Sequence, residues 1–472
     1  MIKQIVTSGA HFQWILFHVV LGIISSITPF GLIAWFYIVF FSSFYIVLKS
    51  KTIYPFCVFI AYLTSFELLA RMSQTSPFIP YELGKYLLFS MLCIGLYKFK
   101  SKSIIGLVML LLLLPAMFFD KSGEVNRSTL IFNLMGPINV ALAIWVFYGK
   151  SLSKIQLIRL LRISILPLVA ILASTIFKTP SYDEMEFSLG ANFATSGGGG
   201  SNQVSTILGL GMFISFIFLV NKWNLTGYRI TDFLLFFLFG FQGLLTFSRG
   251  GILGGLLGII ILVYFVVKTP NRKKAQFRLP HLGKAFLLSL FLAITTFQIA
   301  DSITGGLLGL RYLGETAGTL AGTKEKSLNS ITTGRVDIFL EDLELWDSSP
   351  IFGVGAGASS YMRDFSHFYL SHVEMSRLVS EHGLLGALYF VLLLYVLLLI
   401  LLKKQTPMEK GIMVAFFIIA LYTSFHAAMR TYVTPLFIGL SLIYIRPSKI
   451  KPQKSSSKKP VETIDLKETI TS

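Results

Sequence analysis

The sequence predicts an all-α, polytopic membrane protein with about fourteen transmembrane helices (twelve to fourteen) and one large helical outer loop. Three observations predict it. The 472 residues are 54% hydrophobic and 14% charged, with mean hydropathy +0.71, whereas a soluble domain carries about 25% charged residues. Apolar runs near the length of a bilayer span, about 20 residues, recur along the chain. Between them, basic clusters fall in every second connection. That placement excludes nucleic acid as the meaning of the +18 net charge.

The apolar segments lie at 12–30, 32–48, 53–70, 82–97, 103–119, 130–148, 156–177, 203–220, 230–247, 250–267, 285–301, 381–402, 411–428 and 431–445. The first is read as a retained helix, because no small-residue cleavage site follows it. Ser248-Arg249-Gly250-Gly251 barely separates two runs, and the last segment is short. Numbering the connections from a cytoplasmic N-terminus places most of the 41 basic residues inside and most of the 23 acids outside. This is the bias that orients membrane proteins. Both termini are then cytoplasmic.

The layout gives N-terminal transmembrane helices (1–177), a first outer loop (178–202), further transmembrane helices with Arg249 at an outer end (203–300), a large outer loop (301–380), C-terminal transmembrane helices (381–446) and a basic tail (447–472). The tail is rich in Ser and Lys and reads as disordered and cytoplasmic. Cys57 and Cys93 both lie in apolar runs, which argues against a disulfide framework or a thiolate metal site. No internal repeat is visible, which weakens an inverted-repeat transporter.

In the large loop, Val336, Phe339, Leu340, Leu343 and Trp346 recur at helical spacing after Thr333-Gly334-Arg335. Pro350 ends that pattern, and Gly353-Val354-Gly355-Ala356-Gly357 predicts a tight turn. Ser371 and Glu374 match a capping box, which places His372 in the first turn of a helix. Glu374, Arg377 and Glu381 are spaced by three and four and share a face. The helix dipole at that end favours a neutral imidazole, which can take a proton from a hydroxyl. The plainer alternative is a surface histidine beside two helical salt bridges. Arg249 lies where charge is expensive, between glycine-flanked apolar runs, and its guanidinium can grip a diphosphate. The plainer alternative there is snorkelling toward headgroups. His426 and Arg430, at another outer edge, are weaker candidates of the same kind.

Taken in order, Ser248-Arg249-Gly250, Thr333-Gly334-Arg335, Ser349-Pro350-Ile351-Phe352-Gly353-Val354-Gly355, and His372 followed by Arg377, Glu381 and Gly383 resemble the O-antigen ligase and polymerase family of bacterial envelopes. The resemblance covers roughly residues 180–430. It implies transfer of an undecaprenyl-diphosphate-linked glycan to a sugar hydroxyl at the outer face of the membrane. The expected reaction is that of an O-antigen or capsule polymerase, with ligation to lipid A-core as the alternative. His372 would be the catalytic base. Arg249, Arg377 and Arg335 would bind the diphosphate, and Glu374 and Glu381 would support and orient. No metal or other cofactor is expected. The expected partners are the lipid-linked donor, a sugar acceptor, membrane lipids and, alongside a polymerase, a chain-length regulator. The chain departs from the common pattern at Val373, where many members carry Asn after the histidine.

Two other classes compete. A lipid-linked glycan flippase needs charges within several spans, and Glu67 and Asp232 are the few acids near them. A metal-dependent glycosyltransferase usually carries paired acids in its first outer loop, and Thr28-Pro29-Phe30-Gly31 offers none.

Overall fold

A computed structural model describes residues 12–101, 103–221, 223–270, 282–323, 325–332, 334–363, 371 and 373–446. Helix dominates because a backbone in lipid must satisfy its own hydrogen bonds. The first half contains α1 (Phe12–Ile27), α2 (Phe30–Lys49), α3 (Tyr54–Thr64), α4 (Glu67–Met72), α5 (Leu83–Phe99), α6 (Ile104–Leu113), α7 (Arg127–Phe147), α8 (Lys154–Lys178) and α9 (Ser201–Val220). Then follow α10 (Arg229–Leu245), α11 (Arg249–Val267), α12 (Leu282–Ile303), α13 (Leu307–Tyr312), α14 (Ala317–Leu320), α15 (Leu328–Thr332), α16 (Arg335–Ser348) and α17 (Ser359–Met362). The chain closes with α18 (Glu374–Leu402), α19 (Pro407–His426) and α20 (Val433–Ser441).

Helix is present in every predicted apolar segment. Among the described residues, eight helical stretches are long and apolar enough to cross a membrane, with α3 and α4 counted as one. The apolar stretches Phe12–Ile27 and Ile104–Met117 are shorter. The chain is an α-helical membrane protein.

The fold is all-α apart from two three-residue strands: β1 (Ser151–Ser153) pairs in parallel with β2 (Tyr444–Arg446). The last predicted segment, 431–445, therefore contains only the nine-residue α20 before the chain becomes extended. At the start of α8, Ser153 makes a full capping box with Gln156, the two bonds measuring 3.2 and 2.8 Å.

Close approach of helices rests on small residues, as expected where lipid replaces water. A Cβ on Gly209 of α9 would lie 2.2 Å from the Gly251 carbonyl oxygen. One on Gly255 of α11 would lie 2.4 Å from the Gly209 oxygen. The start of α11 is thereby pressed onto α9, and Arg249 is set at the rim of the bundle.

The connections sort into two groups by their hydrogen bonds. In one, Lys98 donates to the Leu48 carbonyl, Lys150 to that of Phe99 at 2.7 Å, Arg162 to that of Asn224 at 2.7 Å and Lys403 to that of Leu442. In the other, Lys178 donates to the Met72 carbonyl at 2.5 Å, and the Asn192 amide to that of Thr246 at 3.0 Å. Lys121 N–H joins that second group by donating to Val354 at 3.0 Å.

Candidate functional site

Arg249 opens α11 at the end of the bundle where the second group of connections meets. Its Nη1 donates to the Arg311 carbonyl at 2.8 Å and its Nη2 to the Ile331 carbonyl at 2.5 Å. Gly250 lets the helix start lie flat on α19, since a Cβ there would sit 2.4 Å from Cδ2 of His426. Arg335, first residue of α16, donates from Nη1 to the Thr332 carbonyl at 2.7 Å and from Nη2 to the His426 carbonyl at 3.2 Å. Two predicted diphosphate ligands, far apart in sequence, thus meet around the ends of α11, α16 and α19.

A third guanidinium joins them. Arg311, in the short α13, is only 9% exposed, and its Nε has no hydrogen-bond partner. Burial, and then the charges of Arg249 and Arg335, push its pKa down to about 10. Neither Arg249 nor Arg311 forms an ion pair with a carboxylate among the described residues. Tyr312 adds a buried hydroxyl without a partner, and burial pushes its pKa up, so it stays a donor. Clustered cations normally recruit acids, because unpaired buried charge is costly. Among the described residues no carboxylate pairs with Arg249 or Arg311, so the arrangement can accept an anion. Sequence reasoning missed Arg311. It sits in Leu307-Leu308-Gly309-Leu310-Arg311-Tyr312, where no periodicity or motif marks it.

This gives a first prediction. Inorganic pyrophosphate should raise the unfolding temperature of the purified protein in nanodiscs. An anion at 100 times its Kd stabilises by about 2.7 kcal/mol. Arg311→Ala should abolish the rise, and a rise unchanged in that variant would remove Arg311 from the site.

Arg377, Glu374 and Glu381 form a separate, fully buried cluster. Arg377 Nη1 donates to Asn133 Oδ1 and to Glu381 Oε2, both at 2.8 Å. Its Nη2 donates to the Asn133 carbonyl at 3.0 Å and to Glu374 Oε1. The other Glu374 oxygen accepts from the Met429 amide at 3.2 Å, and the other Glu381 oxygen from Ser359 Oγ at 2.7 Å. Beside this cluster, Arg363 donates to Asp342 Oδ1 at 2.6 Å, and Ser376 donates to Asp342 Oδ2 at 2.6 Å. Both terminal nitrogens of Arg377 are taken by protein acceptors, as are those of Arg249 and Arg335, but two of the Arg377 acceptors are carboxylates. The expected Glu374–Arg377 and Arg377–Glu381 pairs are present, buried rather than on a surface. The cluster ties α18 to α7 through Asn133 and to α17 through Ser359.

The predicted capping box at Ser371 is not formed. Ser371 Oγ accepts from the Val373 amide at 3.1 Å, Val373 is extended, and α18 begins at Glu374 without a side-chain cap. His372, like Thr333, lies outside the described residues. Its neighbours Ser371 and Val373 are buried.

The glycine-rich turn has a packing function. α18 breaks at Gly383 (φ 62°, ψ −140°), and the Val354 and Gly355 amides donate to the Ser380 and Glu381 carbonyls at 2.9 and 3.1 Å. A Cβ on Gly353 would lie 2.3 Å from the Glu381 carbonyl carbon. The turn therefore threads the break in the helix and cross-links loop to span. Compared with known proteins, the chain matches no family and no curated sequence.

Proposed function

We propose that the chain transfers a glycan from undecaprenyl diphosphate to a sugar hydroxyl at the outer face of a bacterial cytoplasmic membrane, acting as a polysaccharide polymerase. The observation that carries this reading is the convergence of Arg249, Arg311 and Arg335 at one end of an apolar helical bundle, with no carboxylate paired to Arg249 or Arg311 among the described residues. A lipid-borne diphosphate supplies both halves of that requirement: an anion for the guanidiniums and an apolar chain for the bundle. A free phosphate would supply only the first.

The chemistry follows from the charges. The acceptor oxygen attacks the anomeric carbon while the bond from that carbon to the diphosphate oxygen breaks. The electron pair leaves with the lipid diphosphate, and the hydroxyl proton passes to His372. The product is a glycosidic bond with inverted configuration. Guanidiniums fixed where negative charge develops lower the barrier without reorganising. Their positive charge removes the need for a metal ion or other cofactor.

The reading includes fourteen spans with both termini cytoplasmic. It is supported by the alternation of basic clusters and by the two separate groups of bonded connections. Arg249, Arg311, Arg335 and Arg377 all belong to the end that this topology puts outside.

The test is reconstitution with a purified lipid-linked repeat unit as donor. Longer glycans should accumulate when a second lipid-linked repeat is the acceptor. Product formed only on lipid A-core would make the chain a ligase. Movement of the donor across the bilayer with no new covalent product would make it a flippase and end the proposal.

A further inference from the structure

A polar cavity lies between α1, α4 and α8, and none of the three clustered arginines lines it. It has a volume of about 320 Å³ and is lined by α1 and the turn after it (Ser25, Ser26, Thr28), by Ser73 and Gln74 after α4, and by Lys178 at the end of α8. Most of these groups carry hydroxyls or amides, and Lys178 is the one charged residue in the lining. The helical serines are already committed: Ser25 donates to Leu21 O at 2.5 Å, and Ser26 to Gly22 O at 2.9 Å. As acceptors, their oxygens keep a lone pair for a ligand. Ser73 differs. It is 7% exposed, and its Oγ has no partner. An unpaired buried hydroxyl costs about 1–3 kcal/mol, and this oxygen is enclosed at the cavity wall rather than open to it. Lys178 spends one N–H on the Met72 carbonyl at 2.5 Å. Its ammonium retains two donors.

The cavity is joined to the arginine site by the first outer loop. A Cβ on Gly197 would lie 2.6 Å from Cε of Met72, a cavity residue. From the same loop, Thr195 Oγ1 donates to the Leu245 carbonyl at 2.5 Å, and Ser248 Oγ donates to Asn202 Oδ1 at 2.7 Å. One turn of chain thus touches the cavity wall and the residue before Arg249.

We propose that this cavity is a carbohydrate subsite that holds a sugar ring of the acceptor glycan. The proposal rests on the glycan-transfer reading above for the word acceptor, but not for the sugar. Several neutral hydroxyl and amide groups against one cation suit a polyol, whose hydroxyls both donate and accept. A lipid phosphate headgroup would call for more positive charge. The volume admits one or two pyranose rings. The ammonium favours a ring bearing a carboxylate.

The experiment uses the full chain in nanodiscs, with methyl glucoside and glucuronate as probes in ligand-observed saturation-transfer NMR. Both should bind, glucuronate more tightly. Ser73→Val and Lys178→Met should each weaken binding about tenfold. Ser73 is buried, so Gln74→Ala serves as a second, solvent-exposed variant with the same expected direction. Arg249→Ala should bind the sugars as the native chain does. In the transfer assay, Lys178→Met should raise the acceptor KM while leaving the donor KM unchanged. Sugar binding indifferent to all three cavity substitutions would overturn the proposal. So would saturable binding of phosphatidylglycerol at this cavity with no binding of either sugar. Intact cavity-dependent sugar binding in a protein that forms no glycosidic product would retain the subsite and refute the transferase.

Discussion

His372→Ala and Arg249→Ala are each expected to reduce transfer from a lipid-diphosphate donor to near background while leaving the protein inserted and folded. The effects should differ in kind. Removing a positioned charge that acts on the leaving group costs about 10²–10³-fold, or roughly 3–4 kcal/mol. Arg249 should show that loss in kcat/KM for the donor, and Arg249→Lys should recover little, because an ammonium cannot grip a diphosphate bidentately. Removing the base should lower kcat with donor binding retained. Wild-type turnover in both variants would refute the enzymatic reading. Loss of pyrophosphate binding in His372→Ala would move that residue from proton transfer to donor binding.

Arg377→Met is expected to act through stability instead. Its guanidinium is the shared cation for two buried carboxylates, Glu374 and Glu381, and also holds Asn133 of α7. Removing one partner of a buried pair leaves the other charge uncompensated, at about 3–5 kcal/mol. Here two carboxylates are left. Thermal unfolding of the variant in nanodiscs should begin well below that of the native protein, and the outer loop should become accessible to protease. Removing the carboxylates together with the arginine should restore part of the loss, because the cost is unpaired charge rather than the missing contact. An Arg377→Met protein that unfolds at the native temperature yet fails to bind pyrophosphate would return Arg377 to the donor site.

The helices were legible in the sequence because lipid imposes a length and a composition on anything that crosses it. The same physics made Arg249 legible, as a charge beside an apolar run. Arg335 was legible only through its place in an ordered set of motifs. Arg311 was not, since nothing around it in sequence announces a cation; only the meeting of α11, α13 and α16 shows its neighbours. The full surroundings of Arg377 were not legible for a similar reason. Its i+4 partner can be found by counting, but Asn133 lies on a distant helix, and that contact completes its coordination. Ser371 and Glu374 had the spacing of a capping box, yet the serine bonds locally to Val373 and the helix starts without it. Strands β1 and β2 were illegible because three-residue segments paired across most of the chain leave no periodic trace.

Arg249 is held by the main-chain oxygens of Arg311 and Ile331 and, among the described residues, by no acid; Arg335 donates to the main-chain oxygens of Thr332 and His426. Amide oxygens do not titrate, so acid cannot loosen that grip. Arg311, with its pKa near about 10, keeps its charge until the medium is strongly alkaline. The positive charge of Arg249 and Arg311 is therefore constant from mild acid to neutrality. If the proposed transfer takes place there, any steepness in rate over that range must originate in the proton acceptor or in the substrates.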